Sequence, residues 1–410
     1  MTVTNFPNAL PNFSIGFQGS KKLDPRITFT RATTATETGN ATGDVSGVIR
    51  TFPQNVPRLT NQGLLIEPSR TNIQLDSANP ITSGGQFLTW VTGLDAPDDS
   101  TDAVRIVATA VDEVHNITST IFPAAMPLTN HAWSCFARPE GVNRFTLRNP
   151  ALGFCTFDLR NEGTVINPNT EPAYITPVGN GWYRCTVTGT PGTVSYQYNI
   201  TLNADDETGF VPFLGDGTSG IRFWGWQMEA TEFNFGSTSY IPTTTAAVTR
   251  TADLAEVTGG DFTNFYNTSA STWIVSGIQS NNEDGFQNAP ENPFVDRFTN
   301  ILPERVSATE WECMQAQYAR IPAYTTGSTP TGVPANVAVS FDTTGSVNMA
   351  VRGVVSPQGA INPNYPGTNT LQLGRSLGQS QWWNGTITQL TYYPTRLSDD
   401  ALVSLTETQT

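Results

Sequence analysis

Runs such as Val104-Arg105-Ile106-Val107-Ala108, Ala132-Trp133-Ser134-Cys135-Phe136-Ala137-Arg138 and Trp182-Tyr183-Arg184-Cys185-Thr186-Val187 are short, rich in β-branched and aromatic residues, and bounded by Gly, Pro and Asn clusters. That pattern restricts the chain more than any other feature. Such residues fill half-buried strands, and residues that tolerate turns close them. Asn180-Gly181 ahead of Trp182 is the strongest turn signal, because both residues accept positive φ. The helix formers Lys, Glu, Ala and Leu are comparatively sparse. One helix start stands out, where Ser398 supplies an N-cap and Asp399 and Asp400 complement the dipole of the first turn. The expectation is an all-β protein with a short C-terminal helix.

A length of 410 residues exceeds what a single core usually supports. Residues 1–75 are rich in Pro, Asn and Thr and too poor in apolar residues to close a core alone, so they read as an extended N-terminal attachment region lying against another domain or subunit. Residues 76–254 read as a β-sandwich and 255–410 as a jelly roll, its strands including Ser271–Gly277, Ala335–Asp342, Gly345–Gly353 and Trp383–Tyr393. No period of about 20 to 50 residues repeats, which disfavours a β-helix or propeller.

The net charge of −14, with lysine only at Lys21 and Lys22, excludes a nucleic-acid surface, which needs clustered cations. The N-terminus lacks the basic start and apolar run of a secretory signal, and no apolar run approaches the roughly 18 residues of a membrane span. A soluble chain without membrane insertion is expected. Cys135, Cys155, Cys185 and Cys313 show no Cys-x-x-Cys spacing and read as buried free thiols, although the first three fall in one domain where a pair could meet. His115 and His131 stand apart from any nucleophile motif. No phosphate-binding loop, zinc-protease motif or EF-hand spacing occurs, so no catalytic residue, metal or cofactor is assigned.

Arg31, Arg58 and Arg70 recur beside strand-like pieces. They read either as surface charges or as buried forks that tie loops to carboxylates such as Glu67 through bidentate bonds, which makes Arg31, Arg58, Glu67 and Arg70 candidate fastening residues. Trp382 and Trp383 are adjacent and must point to opposite faces of a strand, so one of them is exposed or at an interface; Trp382 is the candidate glycan contact. Trp224 and Trp226, two apart, should face the same way into a packed sheet.

The segments Ile27–Thr33, Asn55–Leu59 and Gly63-Leu64-Leu65-Ile66-Glu67-Pro68-Ser69-Arg70-Thr71-Asn72 together resemble the opening module of tail-fibre and other appendage proteins of tailed bacteriophages. Phe157-Asp158-Leu159, Gly179–Cys185 and Phe223–Glu229, closed by Thr238–Thr243 and Val248–Asp253, resemble a carbohydrate-binding-module-like sandwich of phage tail proteins. Residues 255–408 are similar to the concanavalin-A-like, laminin-G-like jelly roll at the ends of such proteins. The resemblance implies a non-enzymatic virion structural protein, as tail fibre, head fibre or capsid decoration, assembled in the host cytoplasm. It also implies other virion proteins as partners, a homo-oligomer that is commonly a trimer, and bacterial surface polysaccharide as a ligand. No heptad run supplies a coiled-coil stalk. The alternative is a polysaccharide-degrading enzyme of the jelly-roll glucanase type, which needs two carboxylates about 5 to 9.5 Å apart. Glu310-Trp311-Glu312 would put two on one strand face. The related glucanases carry Glu-x-Asp-x-Glu, and here Ala308 and Met314 leave that pattern incomplete.

Overall fold

The structure, a computed structural model, describes residues 9–20, 22–37, 48–79, 85–119, 130–149, 153–166, 172–190, 198–231, 236–279, 334–360, 370–375 and 382–407, and the backbone of five strands between residues 292 and 325. It is all-β and antiparallel, with a one-turn helix at Gly260–Thr263 and the helix Asp399–Thr406. Ser398 caps that last helix by accepting a hydrogen bond from the Ala401 amide, and Leu402 packs the helix onto Ala338 and Ala350.

The first sandwich sets a six-stranded sheet against an eight-stranded one. The smaller sheet runs in the order Thr164–Ile166, Gly153–Asp158, Arg144–Asn149, Tyr198–Asn203, Asn116–Ser119, Gly85–Gln86, and the larger is centred on His131–Glu140 and Gly220–Ala230. Alternation decides what lies between them: Phe145, Leu147, Phe157, Ile200 and Leu202 from one sheet meet Trp133, Ala137, Phe223, Trp226 and Met228 from the other.

Trp224 and Trp226 do not face the same way. The pairing of their strand with His131–Glu140 slips between Ser134 and Phe136, and Gly225 adopts φ +64°. The extra residue of this bulge reverses the alternation. Trp226 therefore stacks on Trp133 between the sheets, whereas Trp224 packs with Phe136 and Tyr240 on the outer face. A side chain at Gly225 would put its Cβ 2.8 Å from the Phe136 ring.

The second sandwich opposes a sheet containing Gly385–Tyr393, Ala270–Gln279, Ala335–Asp342 and Ser346–Val351 to a four-stranded sheet of Thr28–Thr30, Leu254–Thr258, Thr370–Leu373 and Val295–Arg297. Here the stretch set apart at 1–75 departs from the expected organisation. Phe13–Gly16 and Leu64–Ile66 both pair with Gly385–Tyr393, and Thr28–Thr30 pairs with Leu254–Thr258. Phe13, Ile15, Phe17, Phe29, Leu64 and Ile66 are part of the C-terminal core. Arg70–Asn72, by contrast, joins the first sandwich by pairing with Val248–Arg250 and Gly220–Ala230. The physical reason is that strands this short and apolar are stable only inside a larger sheet. Gly63 makes the approach possible: at φ +134°, any Cβ there would lie 2.1 Å from the Ile387 carbonyl oxygen.

Candidate functional site

Between the sandwiches, five charged side chains converge with almost no exposure. Four of them sit at strand ends. Arg31 follows Thr28–Thr30, Glu67 follows Leu64–Ile66, Arg250 ends Val248–Arg250, Asp253 precedes Leu254–Thr258, and Arg58 lies where the arm turns back. Strand ends leave backbone carbonyls unpaired, and a buried guanidinium has five donors to place.

Arg58 is the hub. Its Nη1 donates to Glu67 Oε2 at 2.7 Å, to Ser239 Oγ at 2.6 Å and to the Thr36 carbonyl at 3.0 Å, while its Nη2 donates to Asp253 Oδ2. Arg31 donates to Asp253 Oδ1 at 2.9 Å, and its other nitrogens reach the carbonyls of Thr33, Pro53 and Val56. Arg250 donates to the Pro68 carbonyl at 2.7 Å and lies 3.4 Å from Glu67. The backbone closes the arrangement. The Glu67 amide donates to Asp253 Oδ2 at 2.9 Å, the Asp253 amide donates to the Glu67 carbonyl at 3.0 Å, and the Ser239 amide donates to Glu67 Oε1 at 2.8 Å.

Burial alone would raise the Glu67 pKa, but Arg58 and Arg250 outweigh it and hold the carboxyl well below the carboxylate range. Burial alone would lower that of Arg58; Asp253 and Glu67 outweigh it and hold the guanidinium charged. Desolvation does lower Arg31 and Arg250, with Asp253 and Glu67 opposing. Glu37 stands at the edge of this group and is pushed up to about 8 by burial, against the pull of Arg58, so it is mainly protonated at neutral pH.

Of the fastening candidates, the structure brings Arg31, Arg58 and Glu67 together and leaves Arg70 aside. Arg70 is half-buried on its own strand and donates to the Ser69 carbonyl at 3.0 Å. Pro68 and Ser69 carry the backbone out of the node before Arg70 is reached. Arg250, Asp253 and Ser239 were missed; the signal available was that several buried arginines require a second carboxylate, and Asp253 lies in the segment that closes the first sandwich.

Trp382 is half-buried against the C-terminal core and bridges Arg375, while Trp383 is 1% exposed inside that core. Glu310, Trp311 and Glu312 belong to the strand Glu310–Gln315, but their side chains lie outside the described residues, as does that of Cys313. Cys135 and Cys185 are opposite one another on adjacent strands and free, as is Cys155, whose thiol burial pushes up to about 12. His115 and His131 are buried. Among the described residues no group of three or more His, Cys, Asp or Glu side chains is arranged to hold a metal ion, and no helix is long and apolar enough to cross a membrane.

A cavity of about 320 Å³, lined by Thr33–Thr36, Thr51, Tyr240–Pro242 and Val248–Arg250, borders the node through Thr36 and Arg250. Hydroxyls and methyls dominate it. The side chains of the node are buried and bonded to one another, and so cross-link the chain segments that carry them.

No known protein family matches this sequence, and no curated protein resembles it closely enough to be a relative. Among solved structures, it is similar to the receptor-binding domain of botulinum neurotoxin C/D mosaic serotype over 38% of this chain, at 11% identity and a TM-score of 0.28. It spans 40% of the length of that neurotoxin chain. It is also similar to Trypanosoma rangeli sialidase (10% identity, 74% of this chain and 60% of that one, TM-score 0.28). A third likeness is to the tandem CBM22 domains of Paenibacillus barcinonensis Xyn10C (8% identity, 79% and 95%, TM-score 0.22). These scores lie below the level at which a common fold is established.

Proposed function

We propose that this chain is a non-enzymatic structural protein of a tailed-bacteriophage particle, a tail fibre, head fibre or capsid decoration, working among other virion proteins as a homo-oligomer. The order of its sequence motifs suggests the class, and the buried node is the observation that carries the reading. Junctions between domains are ordinarily polar, hydrated and free to move, and enzymes often place their clefts there. In this chain the junction is filled by guanidinium–carboxylate pairs that lock the N-terminal arm to both sandwiches. A fixed geometry between two sandwiches suits a particle component whose work is to hold position. Host-surface glycan is the proposed ligand, with Trp382 as one contact.

Immunogold labelling or cryo-electron microscopy of purified particles tests the assignment. Density for both sandwiches at a head or tail position is the expected result, and absence of the chain from infectious particles would sink it. An array of bacterial surface polysaccharides tests the ligand: binding lost in Trp382→Ala is expected, and a blank array removes the glycan role. Loss of polymer on incubation with capsule or lipopolysaccharide, abolished in Glu310→Gln, would instead favour the glucanase alternative.

A further inference from the structure

We propose that Cys135 and Cys185 close into a cross-strand disulfide when the chain meets an oxidising medium, bolting the middle of the first sandwich. The sequence puts Cys135, Cys155 and Cys185 in one domain and leaves every pairing among them open. The structure selects one.

Cys135 lies on His131–Glu140 and Cys185 on Trp182–Gly189, and the register of this antiparallel ladder sets the two directly opposite one another. Opposite residues point to the same face, and their Cα atoms stand about 4.5 or 5.5 Å apart according to the hydrogen-bond pattern, inside the roughly 4.4–6.8 Å that a disulfide spans. Both side chains enter the core between the sheets. Cys155 enters that core from the facing sheet, where the residue opposite it is Leu147. Backbones of facing sheets stand about 10 Å apart, so Cys155 cannot bridge to either of the others without backbone movement.

A second feature gives the pair room. On its other side Cys135 faces the bulge of Gly220–Ala230: the register passes from Ser134 opposite Gln227 to Phe136 opposite Trp224, and Cys135 has no one-to-one partner there. A bulge interrupts the ladder locally, which frees Cys135 from one set of constraints. The inward pairs above and below, Trp133 with Val187 and Ala137 with Tyr183, fix the register from both ends. Disulfide geometry is demanding, and fixed register with local slack meets it.

Burial governs when the bond forms. Cys135 and Cys185 are both 0% exposed, and burial pushes both thiols well above their ordinary range. The thiolate is the reactive form, so exchange proceeds during openings of the sandwich. The oxidant is a low-molecular-weight disulfide. One cysteine thiolate attacks a sulfur of it, forming a mixed disulfide and releasing one small thiol. The other cysteine thiolate then attacks the protein-side sulfur, closing the Cys135–Cys185 bond and releasing the second small thiol. The two cysteine sulfurs are oxidised, the small disulfide is reduced, and the two protons end on the released thiols. A reducing cytosol keeps the pair open, and an oxidising exterior lets the bond persist. The inference does not depend on the particle assignment.

The test incubates the reduced full chain with hydroxyethyl disulfide, with and without urea below the unfolding transition, and maps peptides without reduction. A peptide joining Cys135 to Cys185 is expected, formed faster in urea. The bond closes a loop of about 50 residues, so the oxidised chain should melt about 5–10 °C higher than the reduced one. Cys155→Ala should keep both the linked peptide and the rise, and Cys185→Ala should lose both. Thiols that all persist in urea, a link through Cys155 or Cys313, a bond between chains, or a Cys135–Cys185 bond that lowers the melting temperature would each overturn the proposal.

Discussion

Arg31, Arg58, Arg250, Glu67 and Asp253 meet with side chains at most 4% exposed. At the rim of the first sandwich, Arg144, Asp158, Arg160 and Asp205 make similar contacts, with Arg144 Nε 2.8 Å from Asp158 and Arg160 3.2 Å from Asp205, but Arg160 and Asp205 are 40% and 55% exposed. The residue types and distances are alike, and the surroundings are not. In the node every group has lost its water, so each depends on its partners; at the rim, water and salt stand ready to replace a lost partner. Equal geometry therefore implies unequal consequence.

The largest expected effect is from Asp253→Asn, which leaves Arg31 and Arg58 buried without their shared carboxylate. It should destabilise by about 3–5 kcal/mol in a denaturant titration, with both sandwiches affected. An equal loss from Asp205→Asn would break the comparison. Glu37→Gln should act in the opposite direction. Burial raises its carboxyl from 4.5 to about 8, with Arg58 and Arg50 opposing and Glu67 adding to the rise, so the folded state favours the neutral acid. That contribution is complete below pH 4.5 and is lost as pH rises to about 8. The Gln variant should match the parent at pH 4 and melt higher at pH 9, and identical melting at both would refute the buried carboxyl.

Acid sharpens the contrast further. Asp158 is held down to about 2, chiefly by Arg160 with Arg144 assisting, and Glu67 is held lower still. Both are depressed, so their contributions are whole above pH 4.5 and fail as pH falls. The Asp158 share should go between about 3.8 and 2, while that of Glu67 begins to fail from 4.5 and is not exhausted until lower pH. Glu67→Gln should flatten the acid limb of a pH–stability curve more than Asp158→Asn does. The smallest effect belongs to Arg160→Ala. Its midpoint should stay close to the parent's at low ionic strength and coincide with it in 1 M salt, whereas Asp253→Asn should be insensitive to salt.

Much of the fold was legible because alternation is a local property. Trp133, Cys135 and Ala137 point inward as their spacing predicts, and Ser398 announces its helix. Trp224 misled because one glycine reversed the parity of its strand, and bulges have no composition of their own. The threading of the arm was hidden for another reason: Ser14 meets Thr391 across 377 positions of chain, and no local pattern encodes a partner that distant. The node was half legible. Glu67 and its arginines sit beside apolar strands, where a charge asks for a partner, but Asp253 lies 195 positions from Arg58 in the segment that ends the first sandwich, and no local pattern ties the two.

The pairing of Phe13–Gly16 with Gly385–Tyr393 also sets a schedule. At roughly 5–20 residues per second, the ribosome delivers the partner of the first strand about 20–75 s after the strand itself. Throughout that interval Phe13, Ile15 and Phe17 have no core to enter. The first sandwich can assemble around Trp133 and Phe145 in the meantime, with the arm emerging from it as a loose thread. The second sandwich cannot close until the arm returns. A fragment starting at residue 76 would thus keep the second sandwich's later strands and lose the apolar plug they close upon, so the cut that looks cleanest in the sequence is the one this molecule would tolerate least.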